Sequence, residues 1–260
     1  MRPIQPKRAI KLLGTEVPEP KLRTLQAGSL SAVFDNGALR YIKLGETEVL
    51  RAIAFLVRDE NWGTFTPEIS NLKVRQGKND FRVTYDARCK DAKRSLAYRA
   101  EIACSAEGAL RFDATAMPET DFLTNRTGFI VLHPLSGIAG CPVEVEQVDG
   151  RKVKDKFPAI INPIQPFFAI RSLRHKVGPG VFATCRMEGD TFEMEDHRNW
   201  TDASFKTYVR PLAQPWPYTL PKGVEIKQSV SLTFSGKLPR PKAAGRAKPI
   251  EIALGRGGGT

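Results

Sequence analysis

The densest group of polar side chains lies in one short stretch, from Phe192 to Tyr208. It contains carboxylates, an imidazole, a guanidinium, an amide, an indole and an ammonium. Such groups can activate water as a general base and stabilise the oxyanion that forms at an attacked carbonyl. The stretch crosses from an alternating run into a loop, and loops on a rigid β scaffold often carry function. The candidate residues are Glu195, Asp196, His197, Arg198, Asn199, Trp200, Asp202 and Lys206.

The alternation in this stretch also predicts where Asp196 points. If Phe192, Met194 and Asp196 share one strand face, the carboxylate turns inward with the apolar side chains. A buried carboxylate must be paired or hydrogen-bonded. The nearby partners are Arg198, Asn199 and Lys206. Two interpretations remain open, a group that acts in catalysis and a structural ion pair that closes the loop.

Two further stretches carry candidate groups. Between Asn125 and Pro134, alternation places Phe129, Val131 and His133 on one face, so that His133 is either a hydrogen-bonded structural residue or a general base. In the same stretch, Arg126 could bind a carboxylate or polarise a carbonyl. The other stretch runs from Arg58 to Phe65, followed by Glu68. Trp62 and Glu68 are predicted there as substrate contacts, because an indole can stack on a sugar face, although a tryptophan in a β sandwich often belongs to the core. Trp200 and Trp216 are open to the same two interpretations.

Several chemistries have no motif in the chain. There is no Gly-x-Ser-x-Gly elbow, phosphate loop or dinucleotide fingerprint. The spacing of His133, His175 and His197 does not indicate a zinc site, and no cysteines are paired as Cys-x-x-Cys. We therefore expect free thiols and neither a metal nor a cofactor. The cysteines are Cys89, Cys104, Cys141 and Cys185.

The elements that must position these groups are strands. Period-two alternation with one apolar face predicts half-buried antiparallel strands. It occurs at 29–34, 39–44, 81–87, 96–104, 110–116 and 224–234. Asn36-Gly37 predicts a tight hairpin, and one short helical turn is expected around 167–173. Many short strands with regular turns indicate an all-β fold, a large antiparallel sandwich with few short helices.

The charge is concentrated at the ends of the chain. The protein has 260 residues and a formal net charge of +12. Residues 1–23 carry six Lys/Arg against two Glu, and residues 237–260 carry six against one, which leaves 28 basic and 25 acidic residues between them. A nucleic-acid module would carry its basic stripe on the folded body. We therefore expect no nucleic-acid partner.

The same distribution predicts the domain organisation. We expect a basic extension at 1–27, a β-sandwich domain at 28–236, and a basic Pro/Gly-rich tail, or the start of a linker to a further domain, at 237–260. No apolar run reaches the ~18 residues of a membrane helix, and the basic N-terminus has no apolar segment after it. We expect a cytoplasmic protein with no membrane partner.

Five segments resemble the D-apionate lactonase family. They are 128–134, 140–145, 192–208, 215–218 and 229–236, and the resemblance covers roughly 28–236. It implies hydrolysis of a branched sugar lactone, D-apionolactone, in the catabolism of apiose. Members of the family continue into further domains, so the resemblance implies that the chain corresponds to the N-terminal β region of a longer enzyme. The hairpin at Asn36-Gly37 is similar to galactose-mutarotase-like supersandwiches, an analogy of fold alone.

Lactone hydrolysis assigns expected roles to the candidate residues. The base is expected to be Glu195 or Asp196, with His133 or His197 as the alternative. The oxyanion would be stabilised by Arg126, Arg198 or Lys206. Substrate hydroxyls would be held by Asn199, Trp200 and Asp202, with Trp62 and Glu68 as further contacts. Two other functions remain open, a non-catalytic carbohydrate-binding or docking module of a larger enzyme and a sugar epimerase or mutarotase.

Overall fold

The computed structural model describes residues 10–11, 14–16, 21–105 and 107–239, and it consists almost entirely of antiparallel strands. The predicted all-β fold is therefore confirmed. The strands are β1 (Arg23–Ala27), β2 (Leu30–Asp35), β3 (Ala38–Leu44), β4 (Thr47–Val57), β5 (Glu68–Gln76), β6 (Phe81–Lys90), β7 (Ser95–Cys104), β8 (Leu110–Pro118), β9 (Phe122–Thr124), β10 (Thr127–Pro134), β11 (Pro142–Gln147), β12 (Lys152–Lys156), β13 (Phe167–Gly178), β14 (Val181–Glu188), β15 (Phe192–Asp196), β16 (Ser204–Val209), β17 (Tyr218–Leu220) and β18 (Ile226–Ser235). A single-turn 3-10 helix follows β15 at His197–Trp200.

Sixteen of these strands form one sheet. Its order is β1-β2-β3-β4-β10-β16-β15-β13-β14-β18-β8-β7-β6-β5, with β11 pairing with both β13 and β12, while β9 and β17 form a separate pair. Most neighbours are joined by hairpins, but β10 lies between β4 and β16 through pairings distant in sequence. These pairings place the three candidate stretches of the sequence next to one another.

The sheet folds back so that its two halves face each other across the core. The ring of Phe55 on β4 lies 4.8 Å from that of Tyr98 on β7, and the ring of Phe129 on β10 lies 4.9 Å from that of Phe112 on β8. Aromatic rings at these separations make favourable tilted contacts. The apolar faces that alternation predicts therefore meet as the two layers of a sandwich.

Local predictions are confirmed at one turn and wrong at another. Asn36 and Gly37 both have positive φ, 41° and 85°, as the tight hairpin between β2 and β3 requires. The expected helical turn around 167–173 is instead part of β13, because this segment pairs with β11, β14 and β15. Because β13 is paired on both sides, its backbone N–H and C=O groups are satisfied by neighbouring strands, and a helical turn would lose those hydrogen bonds.

The expected bounds of the β-sandwich domain, 28 and 236, lie within the described residues. β1 lies before residue 28 and pairs with β2, so the sheet includes the last residues of the expected extension. Residues 1–9 and 240–260 lie outside the described residues. Within the described part, no helix is long and apolar enough to cross a membrane.

The cysteines of the described chain are free thiols, as predicted. Cys89, Cys104 and Cys185 are buried, and burial raises the pKa of each thiol to about 12. Cys141 is partly exposed. The three buried thiols therefore behave as small apolar core residues.

Candidate functional site

The centre of the candidate site is one face of β16. Ser204, Lys206 and Tyr208 alternate along it, so that their side chains leave the same face at intervals of about 7 Å. On the neighbouring β15, Glu195 lies opposite Lys206, and Glu193 lies opposite Tyr208. Both carboxylates therefore share the face of the lysine and the tyrosine. The intervening residues of β16 turn to the opposite face, toward the core.

Each carboxylate on this face has a partner. Glu195 and Lys206 form a close ion pair, and Lys206 is only 7% exposed. Burial lowers the pKa of Lys206, which the charge of Glu195 partly offsets. Glu193 Oε1 accepts hydrogen bonds from Tyr208 Oη at 2.6 Å and from the Leu212 backbone N–H at 2.8 Å. Burial, together with the Glu193 hydrogen bond, raises the pKa of Tyr208.

Arg126 covers the other side of Tyr208. Its guanidinium carbon lies 3.8 Å from the centre of the Tyr208 ring and 5.3 Å from that of Trp62. Arg58 approaches Trp62 as well, at 5.8 Å, and donates from Nη1 to the Trp62 carbonyl at 3.2 Å. The Trp62 ring meets Trp216 edge-on at 5.5 Å. Aromatic rings and cations thus alternate from Trp62 through Arg126 and Tyr208 to Lys206.

Backbone hydrogen bonds hold the two arginines together. The Arg58 N–H donates to the Arg126 carbonyl at 2.9 Å, and the Asn125 N–H donates to the Asp59 carbonyl at 3.1 Å. Burial lowers the pKa of both guanidinium groups. Desolvated cations at the edge of a sheet are typical of sites for anions or for developing negative charge.

His197 lies at the opposite end of the same face. Its Nδ1 is 3.1 Å from Asp202 Oδ2 and 3.4 Å from Ser204 Oγ. Burial lowers its pKa, and so does the charge of Lys206, while the charges of Glu195 and Asp202 act in the opposite direction. Because its ordinary pKa is already near 6.5, a lowered pKa leaves the imidazole neutral at pH 7. It can therefore accept a proton.

Asp196 occupies the opposite face of β15 with Phe192 and Met194, as alternation predicts, and it is paired with Arg198. Arg198 also donates to the backbone carbonyls of Pro158, Ala159 and Ile160. Burial raises the pKa of Asp196, but the hydrogen bonds and charge of the Arg198 guanidinium outweigh this effect and keep the pKa below its ordinary range. These contacts are the ones that the structural interpretation of Asp196 requires, in which an ion pair closes a loop.

Several other expected site residues also have structural contacts. Asn199 Nδ2 donates to the carbonyls of Asn162 and Asp196, at 2.7 and 3.0 Å. His133 is buried on the core face, where Nε2 shares a 3.0 Å hydrogen bond with Thr207 Oγ1. Its position separates it from Lys206, which points to the other face of the sheet.

Two expected contacts lie away from the cations. Trp200 is 68% exposed at the end of the 3-10 helix. Glu68 lies on the edge strand β5, pairs with Lys90, and lines a cavity of about 730 Å³ whose lining does not include Arg58, Arg126 or Lys206. A second cavity, of about 630 Å³, lies beside His175, Cys141 and Phe182. Arg58, Arg126 and Lys206 line neither of these two cavities.

Sequence reasoning did not assign roles to Arg58, Glu193 and Tyr208. The signal for the last two was present, because residues 193 and 195 share a face, as do 206 and 208. Arg58 could not be found by spacing, since it reaches Arg126 only through the pairing of β4 with β10. Among the described residues, no group of three or more His, Cys, Asp or Glu is arranged to hold a metal ion.

Comparison with known proteins assigns the family. Residues 10–237 match the family described as D-apionate lactonase, N-terminal domain. The chain belongs to this family. A D-apionate lactonase from Brucella anthropi is 48% identical over 251 residues, which are 95% of this chain and 41% of the relative. The chain thus spans less than half the length of this D-apionate lactonase.

Two of the solved structures that are similar to this chain are described as sugar epimerases. Galactose 1-epimerase from Lactobacillus acidophilus has a TM-score of 0.53 and 9% identity, covering 85% of this chain and 96% of that chain. A putative aldose 1-epimerase from Escherichia coli has a TM-score of 0.51 and 11% identity, covering 84% and 100%. At such low identity the likeness concerns the fold alone, and it confirms the predicted galactose-mutarotase-like sandwich.

Proposed function

We propose that this domain opens a sugar lactone of the D-apionolactone type to the free sugar acid in apiose catabolism. The observation that carries the proposal is the shared face of β15 and β16. A neutral imidazole oriented by a carboxylate, a buried ammonium and a buried guanidinium lie along it in the order His197, Lys206, Arg126. The named relative, a D-apionate lactonase 48% identical to the chain, supports the choice of substrate class.

In this mechanism His197 is the general base. Its Nδ1 faces Asp202, so that Nε2 takes the proton of a water molecule as the water oxygen adds to the lactone carbonyl carbon. Lys206 and Arg126 stabilise the negative charge that develops on the carbonyl oxygen, an interaction that gains strength where water is excluded. The bond from the carbonyl carbon to the ring oxygen then breaks, and the imidazolium returns the proton to the departing oxygen.

Glu195 takes a different role from the base expected from the sequence alone. Its carboxylate is already engaged in a close ion pair with the buried Lys206 ammonium. We assign Glu195 to holding the Lys206 ammonium in place. Asp196 and Arg198 hold the segment around residues 158–160, which borders the site, and His133 supports the sheet from the core side.

The sugar ring would rest against the aromatic groups of the same face. Trp62 and Trp216 form an edge-on pair beside Arg126, and indole faces bind the apolar faces of sugars. Asn199, Trp200 and Asp202 follow His197 along the chain, at the other end of this face from Trp62. Asn199 donates to two backbone carbonyls and Trp200 is exposed, so their contacts with substrate hydroxyl groups remain predictions.

Lactone opening by the purified chain tests this proposal. We expect turnover of aldonolactones, lowered about 10²–10³-fold in kcat/KM by His197→Gln and by Lys206→Met. Lys227→Met is the matched control, because Lys227 is exposed and pairs with the exposed Glu225 outside the site. Unchanged turnover in both folded site variants would contradict the mechanism.

A second candidate is a non-catalytic module that binds sugar or docks against another part of a longer enzyme. It is favoured by one observation, that the chain matches only 41% of the length of the Brucella anthropi enzyme. Binding of an aldonolactone without turnover would support this module. Interconversion of sugar anomers, followed by polarimetry, would instead indicate a mutarotase.

A further inference from the structure

Arg126, which is buried, and Arg58, which is half-buried, form a pair of cations beside Trp62. Arg126 is only 4% exposed, and the Nε atoms of both residues are buried without a hydrogen-bond partner. In the part of the chain that the structure describes, neither guanidinium has a carboxylate oxygen within 4 Å. Of the carboxylates nearby, Glu195 pairs with Lys206, Glu193 accepts from Tyr208, and Asp59 accepts from the N–H groups of its own loop.

This arrangement is costly without a ligand. A buried guanidinium normally forms a bidentate pair with a carboxylate or phosphate, whose geometry its planar fork matches. Here the two guanidinium groups instead contact ring faces, those of Trp62 and Tyr208. Ring faces offset part of the desolvation cost but leave the buried Nε–H donors of both arginines unsatisfied.

The backbone holds both arginines at one place. The hydrogen bond from the Arg58 N–H to the Arg126 carbonyl joins their main chains, and both guanidinium groups approach the Trp62 ring. Trp62 has a positive φ of 68°, and its loop is fixed by Asp59, which accepts from the N–H groups of Asn61 and Gly63. The donors are therefore preorganised before any ligand arrives.

We propose that Arg58 and Arg126 form, beside the indole of Trp62, a subsite for the carboxylate of an open-chain sugar acid. The site then holds the product of lactone opening more tightly than the neutral lactone. The identification of the ligand as a sugar acid rests on the proposed function. An anionic ligand follows from two guanidinium groups with no carboxylate oxygen within 4 Å among the described residues, and the proposed function selects a carboxylate.

Binding can be measured with the whole chain and two probes of nearly the same shape. Sodium D-gluconate carries a carboxylate where the neutral polyol D-glucitol carries a hydroxymethyl group. At constant ionic strength, we expect gluconate to change the tryptophan fluorescence saturably and glucitol to leave it unchanged at the same concentrations. Because the chain has three tryptophans, the variant Trp62→Phe tests whether the fluorescence change arises from Trp62.

The variants identify the groups that bind. We expect Arg58→Gln and Arg126→Gln each to weaken gluconate binding at least about tenfold, and the lysine replacements, which keep the charge but lose the fork, to have intermediate effects. Arg111→Gln is the matched control, because Arg111 is exposed and pairs with Asp113. Equal binding of glucitol, or unchanged gluconate binding in folded Arg126→Gln, would overturn the proposal.

The same preparations separate this proposal from the proposed function. Gluconate binding that depends on both arginines, in a chain that opens no lactone, supports the carboxylate subsite and removes the lactonase mechanism. Lactone opening that depends on Lys206, in a chain that does not bind gluconate, removes the carboxylate subsite alone.

Discussion

Arg198 and Asp196 form a two-point ion pair, in which Nε donates to Oδ1 at 2.8 Å and Nη2 donates to Oδ2 at 2.7 Å. Asp196 Oδ2 also accepts from the Asn162 backbone N–H at 2.9 Å. One carboxylate therefore fixes the guanidinium that in turn holds the carbonyls of residues 158–160. This ion pair thus anchors the segment at residues 158–162 to the end of β15.

We expect Asp196→Asn to destabilise the protein by about 3 kcal/mol, because removing one charge leaves the other partly buried and unpaired. Urea unfolding measures this loss. Asp113→Asn is the control, since it breaks an exposed pair with Arg111, for which we expect under about 1 kcal/mol. Equal losses in the two variants would contradict an anchoring role for Asp196.

The pH dependence of lactone opening reports on His197. As a base it must be neutral, so we expect activity to fall as the pH drops through a pKa below its ordinary 6.5. The charge of Glu195 raises this pKa and that of Lys206 lowers it. Glu195→Gln should therefore move the acidic limb to lower pH, whereas Lys206→Met should raise the His197 pKa, measured by NMR titration. Shifts in the same direction in the two variants would remove His197 from the site.

Two buried histidines predict acid sensitivity of the fold. Burial lowers the pKa of His133 to about 3 and that of His175 to about 4. Between these values and the ordinary 6.5, the unfolded chain binds more protons than the folded one, so stability falls as the pH drops from about 6.5. At pH 5 each histidine costs about 2 kcal/mol relative to pH 7 and above.

Urea unfolding at several pH values tests this effect. We expect His175→Leu to flatten the dependence of the unfolding free energy on pH between about 4 and 6.5, whatever its effect on stability at pH 7. A His175→Leu protein with the same pH slope as the parent would show that His175 is not held neutral.

Gly128 is expected to tolerate no side chain. It has φ of 142°, and an added Cβ would lie 2.3 Å from Gln228 Oε1 and 2.3 Å from Val209 Cγ1. We expect Gly128→Ala to destabilise the protein by about 1–3 kcal/mol through overpacking and backbone strain. Gly180→Ala is the comparison, because its φ is also positive, at 68°, but nothing lies within 4 Å of the added carbon. Thermal unfolding of both separates crowding from strain.

Alternation of side chains was sufficient to predict the strands and their faces. The inward positions of Asp196 and His133 follow from their apolar neighbours at intervals of two residues, because successive side chains of a strand point to opposite faces. The Asn36-Gly37 hairpin follows from local chemistry in the same way. Where the local pattern was weak, at 167–173, pairing with neighbouring strands determined the structure.

The composition of the candidate site depends on contacts between distant parts of the chain. β10 pairs with β4 on one side and β16 on the other, and only this order brings Arg58 and Arg126 toward Lys206 and Tyr208. Alternation says which face a residue occupies, but strand order is decided by how the whole apolar surface is buried. The amino-acid sequence by itself therefore determined the strands, their faces and the types of polar group available. The folding of the sheet decided which of those groups come into contact.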